Sequence, residues 1–312
     1  MKVCVAGQGA FGTRHLEALQ NIEGVEVVTL TGGRPESTEA VAKKFGIPHW
    51  TSNLSESLAQ PGVEAVILAS PTQVHAQQAV QCMRAGKHVL IEIPMADSLE
   101  DSRRILAVQR ETGVVAMAGH VRRFNPSHQW VRKRIQAGEL TIQQLDVQTF
   151  FFRRTNMNAL GQPRSWTDHL LWHHACHTVD LFQYQTGEVA SQAYALQGPI
   201  HPELGIAMDM SAILKVPSGA ICTLSLSFNN DGPLGSFFRY ICDNGTYIAR
   251  YDDLVDGYEH PIDVSKVDVS LNGVEIEDRE FFAAIKEGRE PNSSVAQCLP
   301  AMETLDRLER ML

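Results

Sequence analysis

The sequence predicts an α/β protein of two parts: a doubly wound parallel sheet at the N-terminus, then an α+β domain built on a mostly antiparallel, open sheet. Three observations lead there. The first 120 residues alternate short, continuously apolar runs with helical patterns, the signature of strands buried on both faces and joined by crossover helices. Beyond residue 140, strand-like runs follow one another across short turns. The chain has 312 residues, room for two ordinary domains, and the expected division is 1–120 and 121–312.

In the first part, strands are expected at Val3–Ala6, Val25–Leu30, Val63–Ala69, His88–Ile93 and Val114–Gly119. Helices are expected from Phe11 to about Ile22, over Glu36–Phe45 and Val74–Ala85, and around Leu99–Glu111. Right-handed crossovers leave essentially one topology for this alternation. In the second part, strands are expected at Ile142–Phe152, Ala190–Leu196, Met210–Val216, Ala220–Phe228, Phe237–Cys242 and Tyr247–Arg250, with turns at Pro217-Ser218-Gly219 and Asp243-Asn244-Gly245-Thr246. Helical patterns at about Asp168–Tyr184, Asp278–Glu287 and Val295–Met311 would cover one sheet face. The other face is then left to pair with a second copy, which predicts a homodimer or homotetramer.

Composition narrows the class. Hydrophobic residues make up 44% and charged residues 20%, as in ordinary globular proteins, which excludes a disordered chain. The net charge of −9 argues against nucleic acid or an anionic membrane as partner. No apolar run reaches the roughly 20 residues of a membrane span, and Met1 leads straight into the first strand, so no signal peptide is expected. The six cysteines are scattered without a close pair, which points away from disulfides or a thiolate zinc site and toward a reducing cytoplasm.

Gly7-Gln8-Gly9-Ala10-Phe11-Gly12 is a Gly-x-Gly-x-x-Gly run between the first strand and the first helix, the context that makes this pattern a dinucleotide site of Rossmann type. Gly7 would permit the tight turn, Gly9 the approach of a pyrophosphate, and Gly12 close helix–strand packing. Ala10 and Phe11 open the helix whose N–H groups would face the phosphates. The end of the second strand reads Thr31-Gly32-Gly33-Arg34, with no carboxylate for a ribose hydroxyl until Glu36. Arg34, with Thr31 and Gly33 beside it and the hydroxyls of Ser37 and Thr38, suits a 2′-phosphate, so NADP is the expected cofactor.

Asp168–Asp180 holds four of the chain's 12 histidines: His169, His173, His174 and His177. On an α-helix, His173, His177 and Asp180 share one stripe. Three readings stand: a general base with neighbours that hold an anion, a zinc site of His169, His173 and His177, or hydrogen-bonded structural residues. The first is preferred, with no metal expected. From residue 120 to residue 170, eight basic residues face three acidic ones. Arg122 and Arg123 follow the first domain's last strand, and Arg153 and Arg154 end the second domain's first. These four and Arg164 are candidate carboxylate ligands, whereas Arg132–Arg134 reads as a solvated helix face.

Gly7–Gly12, Ser70-Pro71-Thr72-Gln73-Val74-His75, Glu92-Ile93-Pro94, Arg123-Phe124-Asn125-Pro126 and His177-Thr178-Val179-Asp180 together resemble the glucose-fructose oxidoreductase/inositol dehydrogenase family across essentially the whole chain. The resemblance implies a nicotinamide-dependent oxidoreductase. Ser70, Pro71, Thr72, His75, Glu92 and Pro94 would border the nicotinamide and its ribose, and His177 would be the catalytic base with His173 behind it. Two departures stand out: the family's Glu-Lys-Pro is Glu92-Ile93-Pro94, and its frequent Asp-x-x-x-His is His173-x-x-x-His177. Both argue against an ordinary polyol. Phe151–Arg154, Pro163–His174, Ser227–Pro233 and Arg239–Gly245 are similar to a branch acting on a dicarboxylate derived from aromatic compounds, oxidised from cyclic hemiacetal to lactone. On that likeness Arg122, Arg123, Arg153, Arg164 and His174 would contact the substrate.

Overall fold

The computed structural model describes residues 1–157, 161, 163, 166–265 and 273–312. The first sheet comprises β1 (Lys2–Ala6), β2 (Glu26–Thr31), β3 (His49–Thr51), β4 (Val63–Leu68), β5 (His88–Glu92) and β6 (Ala116–Gly119), interleaved with α1 (Ala10–Leu19), α2 (Pro35–Phe45), α3 (Leu54–Leu58), α4 (His75–Arg84) and α5 (Leu99–Thr112). Its order is β3-β2-β1-β4-β5-β6 with every pair parallel, the doubly wound arrangement expected. β1, β4 and β5 are almost wholly buried, which is why they read as unbroken apolar runs. The short β3 and α3 were not expected, because three and five residues are too few to show a period.

The second unit contains α6 (Pro126–Gln136), β7 (Ile142–Phe150), α7 (Cys176–Thr186) and the strands β8 (Gln192–Gln197), β9 (Asp209–Lys215), β10 (Ile221–Ser227), β11 (Gly235–Cys242), β12 (Gly245–Arg250) and β13 (Asp253–Asp256). The chain ends with α8 (Gly273–Glu287) and α9 (Val295–Glu309). The seven-stranded sheet runs β13-β12-β11-β7-β10-β9-β8, antiparallel except for the parallel pair β7–β10. α6 packs on β12 and β13, and α7 on β7. β9 alternates exposed and buried residues along its length, so one face is core and the other carries Tyr194, Leu196 and Ile213, each more than half exposed.

Two expectations need correction. Val274–Leu299 belongs to the first compact unit together with Met1–His120, whereas Val121–Gly273 and Pro300–Leu312 form the second. Most of α8 therefore serves the first domain, and Ser293 covers the edge of β6: Ala118 N–H donates to the Ser293 carbonyl at 2.8 Å and the Ser293 hydroxyl to the Ala118 carbonyl at 2.7 Å. Arg132 and Arg134 do not simply line a solvated face either. Arg132 donates to the Gln185 carbonyl at 3.0 Å and stacks on Tyr184, and Arg134 lies over Trp130.

Candidate active site

In the first unit the three motif glycines have different reasons to be glycine. Gly7 sits at φ 127°, and a Cβ there would fall 2.2 Å from the Ala69 carbonyl oxygen. A Cβ on Gly12 would fall 1.9 Å from the Gly7 oxygen. Both are dictated by the protein's own backbone. Gly9 is exposed, and no protein atom lies within 4 Å of where its Cβ would be. Open space at the start of α1, beside the exposed Ala10 and Phe11, fits a pyrophosphate laid against the helix N-terminus.

Around the ribose end, Gln8 is a residue that motif reasoning passed over. Its amide oxygen accepts from Gly33 N–H at 3.3 Å and its amide nitrogen reaches Ser37 Oγ at 3.3 Å, tying the glycine loop to the β2–α2 loop. Arg34 is exposed at the start of α2. The hydroxyls of Ser37 and Thr38 donate back to its carbonyl at 3.1 and 2.7 Å, inside the helix's own first turn. Thr31 is corrected as well: its buried hydroxyl donates to Ser57 Oγ at 2.8 Å, facing the core.

At the carboxyl ends of β4 and β5, Ser70, Pro71 and Thr72 lie on one loop and Ile93 and Pro94 on the next. Ser70 donates to Gln78 at 2.6 Å. His75 is buried, with Nδ1 2.9 Å from the Pro94 carbonyl and Nε2 2.8 Å from the Ser70 carbonyl. Its burial lowers its pKa. His75 thus sits between the two loops, its one N–H available to either carbonyl, and not at the cofactor contact expected. Glu92 is buried beneath the same edge; Oε1 accepts from His15 Nε2 at 2.9 Å and Oε2 from Ile93 N–H at 3.1 Å.

In the second unit the arginines are not loose cations. Arg123 holds Asp180 through Nε at 2.7 Å and Nη2 at 2.6 Å, both side chains being buried. Arg122 is buried over the rings of Tyr251 and Phe238 and donates to Asn125 at 3.2 Å. The Arg123 fork is thus taken up by Asp180 on α7, not offered to a substrate. Arg153 grips Asp168 with Nη1 and with Nη2, the latter at 2.8 Å, and lies over the Phe228 ring. His174 Nε2 stands 3.2 Å from the same Asp168 oxygen and packs against Phe151 and Phe228. Burial works to raise the Asp168 pKa, but hydrogen bonds from His174 and Arg153, together with their charges, hold it well below the ordinary carboxylate range. Asp168 therefore stands as a carboxylate between the Arg153 guanidinium and the His174 ring; in the sequence it registers only as one acidic residue among many basic ones. Arg164 lies outside the described residues.

The histidine helix is also not regular. Leu171–Ala175 forms a π-helical turn before α7 begins at Cys176, so the stripe from His173 to His177 inferred from α-helical spacing is broken, while His177 and Asp180 keep theirs. His173 is buried, stacked on Trp166, and its Nδ1 accepts from His169 N–H at 3.2 Å. His177 is half-buried on the first turn of α7.

Comparison with known proteins decides the family. Residues 1–120 match the model of the oxidoreductase family with an NAD-binding Rossmann fold, and residues 126–268 that of bacterial oxidoreductases, C-terminal. Over 312 residues, 100% of this chain and 99% of the other, the sequence is 65% identical to 4-carboxy-2-hydroxymuconate-6-semialdehyde dehydrogenase of Sphingobium sp.. The chain belongs to the glucose-fructose oxidoreductase/inositol dehydrogenase family. It is a dehydrogenase with an NAD(P)-binding unit. A second family member, scyllo-inositol 2-dehydrogenase (NAD(+)) of Bacillus subtilis, is 33% identical over 141 residues, 45% of this chain and 41% of that one. Levoglucosan dehydrogenase in complex with NADH superposes with a TM-score of 0.86 at 21% identity, covering 100% of this chain and 96% of the other. An oxidoreductase from Agrobacterium radiobacter in complex with NAD+, L-tartaric acid and magnesium gives 0.85 at 17% identity over the same shares, a likeness of fold. Among the described residues no helix is long and apolar enough to cross a membrane.

Proposed function

We propose that this dehydrogenase oxidises the cyclic hemiacetal of 4-carboxy-2-hydroxymuconate-6-semialdehyde to the lactone 2-pyrone-4,6-dicarboxylate, with NADP as acceptor. The step would belong to the protocatechuate 4,5-cleavage route of bacterial aromatic degradation, in the cytoplasm. The observation that carries this reading is the 65% identity along the whole chain. The chemistry of the residues supports it. Ile93 stands where the family's lysine would assist a weakly acidic alcohol; a hemiacetal hydroxyl is more acidic, and a histidine is base enough. His177 takes the hydroxyl proton, with His173 as the second candidate. Arg153 and His174, both partners of Asp168 on an aromatic bed, hold a ring carboxylate. Bound NADP supplies the hydride acceptor for the carbinol carbon, so that loss of hydride and proton leaves the lactone carbonyl. The Gly9 cradle and Arg34 hold that cofactor, and the exposed apolar sheet face joins copies into a homodimer or homotetramer.

The test is turnover of the enzymatically generated semialdehyde with NADP and with NAD, beside inositol and gluconate, with the product identified by mass spectrometry. The expected result is pyrone dicarboxylate formed fastest with NADP. Faster turnover of inositol or gluconate would remove the substrate assignment. Arg34→Ala is expected to weaken NADP far more than NAD, and equal losses would remove the preference for NADP.

A further inference from the structure

A buried polar cluster in the first unit has no place in the reaction as proposed. His15 on α1 is fully buried, with Nδ1 2.8 Å from Asp278 Oδ1 and Nε2 2.9 Å from Glu92 Oε1. Glu277, on α8 beside Asp278, is also fully buried, and neither of its carboxyl oxygens has a hydrogen-bond partner. Ligand atoms of His15, Glu92 and Glu277 lie within 4.8 Å of one another, a spacing that suits a metal ion. The hydrogen bonds point elsewhere. Ionised carboxylates only accept, so a ring flanked by two of them donates from both nitrogens and keeps no lone pair for a metal. Burial alone would lower the His15 pKa; the Asp278 and Glu92 carboxylates outweigh it and raise it well above the usual value. Glu277 is raised well above its own, first by burial and then by repulsion from Glu92. Burial raises the Asp278 pKa too, against the pull of the His15 ring.

Its outlet is the active-site loop. Glu92, bonded to His15 through Oε1, spends its second oxygen on Ile93 N–H at 3.1 Å. The next residue, Pro94, has its carbonyl 2.9 Å from His75 Nδ1, and the other ring nitrogen lies 2.8 Å from the Ser70 carbonyl. One belt of side chains thus runs from α8 through α1 to the ends of β5 and β4, the sheet edge where doubly wound folds take their ligands. We propose that His15 is a positioning residue for the cofactor edge: through Glu92 it sets the Ile93–Pro94 loop against which the nicotinamide lies. This rests on reading that edge as the cofactor site.

The experiment uses the full-length enzyme and begins with NADP binding to the wild type. If neither NADP nor NAD binds, the reading of the edge has failed, and with it the ground for this role. With binding established, His15→Gln keeps a neutral donor but loses the cation. Its kcat at saturating NADP and substrate is expected to fall about 10–100-fold, the scale of an ångström-sized misplacement at a reacting centre, with substrate KM within about twofold. Ile105→Ala, destabilised elsewhere in the same unit, is expected to keep kcat below its melting point, which separates positioning from loss of stability. Glu277→Gln, replacing a buried carboxyl that has no hydrogen-bond partner, is expected to leave kcat within about twofold. An unchanged kcat in folded His15→Gln overturns the proposal. Should that variant not fold, Asp278→Asn decides in its place: a fall in kcat in the same direction supports it, and wild-type kcat overturns it.

Discussion

Arg123 grips Asp180 through Nε and Nη2, and Arg153 grips Asp168 through its two Nη atoms. The first pair is sealed, its side chains 4% and 2% exposed, with Arg123 stacked on Tyr184. The second is 13% and 10% exposed, and its aspartate is shared with His174. From sequence the two arginines are equivalent, each in an Arg-Arg doublet at the end of a strand. Enclosure separates their roles. A sealed ion pair pins α7 to the segment before α6, whereas the less enclosed one shares its aspartate with a third member, His174.

That contrast can be broken in several places. His177 lies one turn from Asp180 on α7; His177→Asn is expected to lower kcat by about 10²–10⁴ with the melting temperature unchanged, and an unchanged kcat would take the base role away from it. Asp180→Asn is expected to cost about 3–5 kcal/mol by leaving Arg123 buried opposite a neutral amide. Denaturant unfolding would show it, and a loss below 1 kcal/mol would mean that the pair is not sealed. Asp168→Asn is expected to spare stability by comparison but to raise substrate KM by about 10–100-fold, the worth of a charge-assisted hydrogen bond, because Arg153 and His174 lose their common anchor. If its KM is unchanged while its stability collapses, the two pairs do the same job.

The smallest effect concerns acidity. Asp168 has a depressed folded pKa, so its pairing contributes stability that is fully present above the unfolded carboxylate value of about 3.9 and is lost as pH falls toward the folded one. The stability gap between wild type and Asp168→Asn should be flat from about pH 8 to pH 5 and narrow below about pH 4. A gap that narrows near neutrality instead would point to His174 as the group that titrates.

Much of the first sheet is legible in the sequence because its strands are buried on both sides and leave unbroken apolar runs. The glycine turn is legible because backbone contacts at Gly7 and Gly12 tolerate nothing else. Other features leave no such trace. Asp278 meets His15 across 263 residues of chain, so no local pattern could assign α8 to the first unit. The π-turn at Leu171–Ala175 shifts the histidines away from the 3.6-residue period on which their stripe was drawn. For the arginines, composition gives the charge but not the partner: Asp180 and Asp168 are ordinary acidic residues until the fold sets them against Arg123 and Arg153.

The return of Val274–Leu299 to the first unit carries a consequence for synthesis. The sheet that begins at Lys2 cannot acquire Asp278, or the cover that Ser293 gives to β6, until the chain has emerged from the ribosome past residue 293. Until then the nascent N-terminal half exposes an unprotected strand edge and a histidine lacking one of its two carboxylates. Emergence of residues 274–299 closes the first domain, so neither unit can be obtained by cutting the gene once.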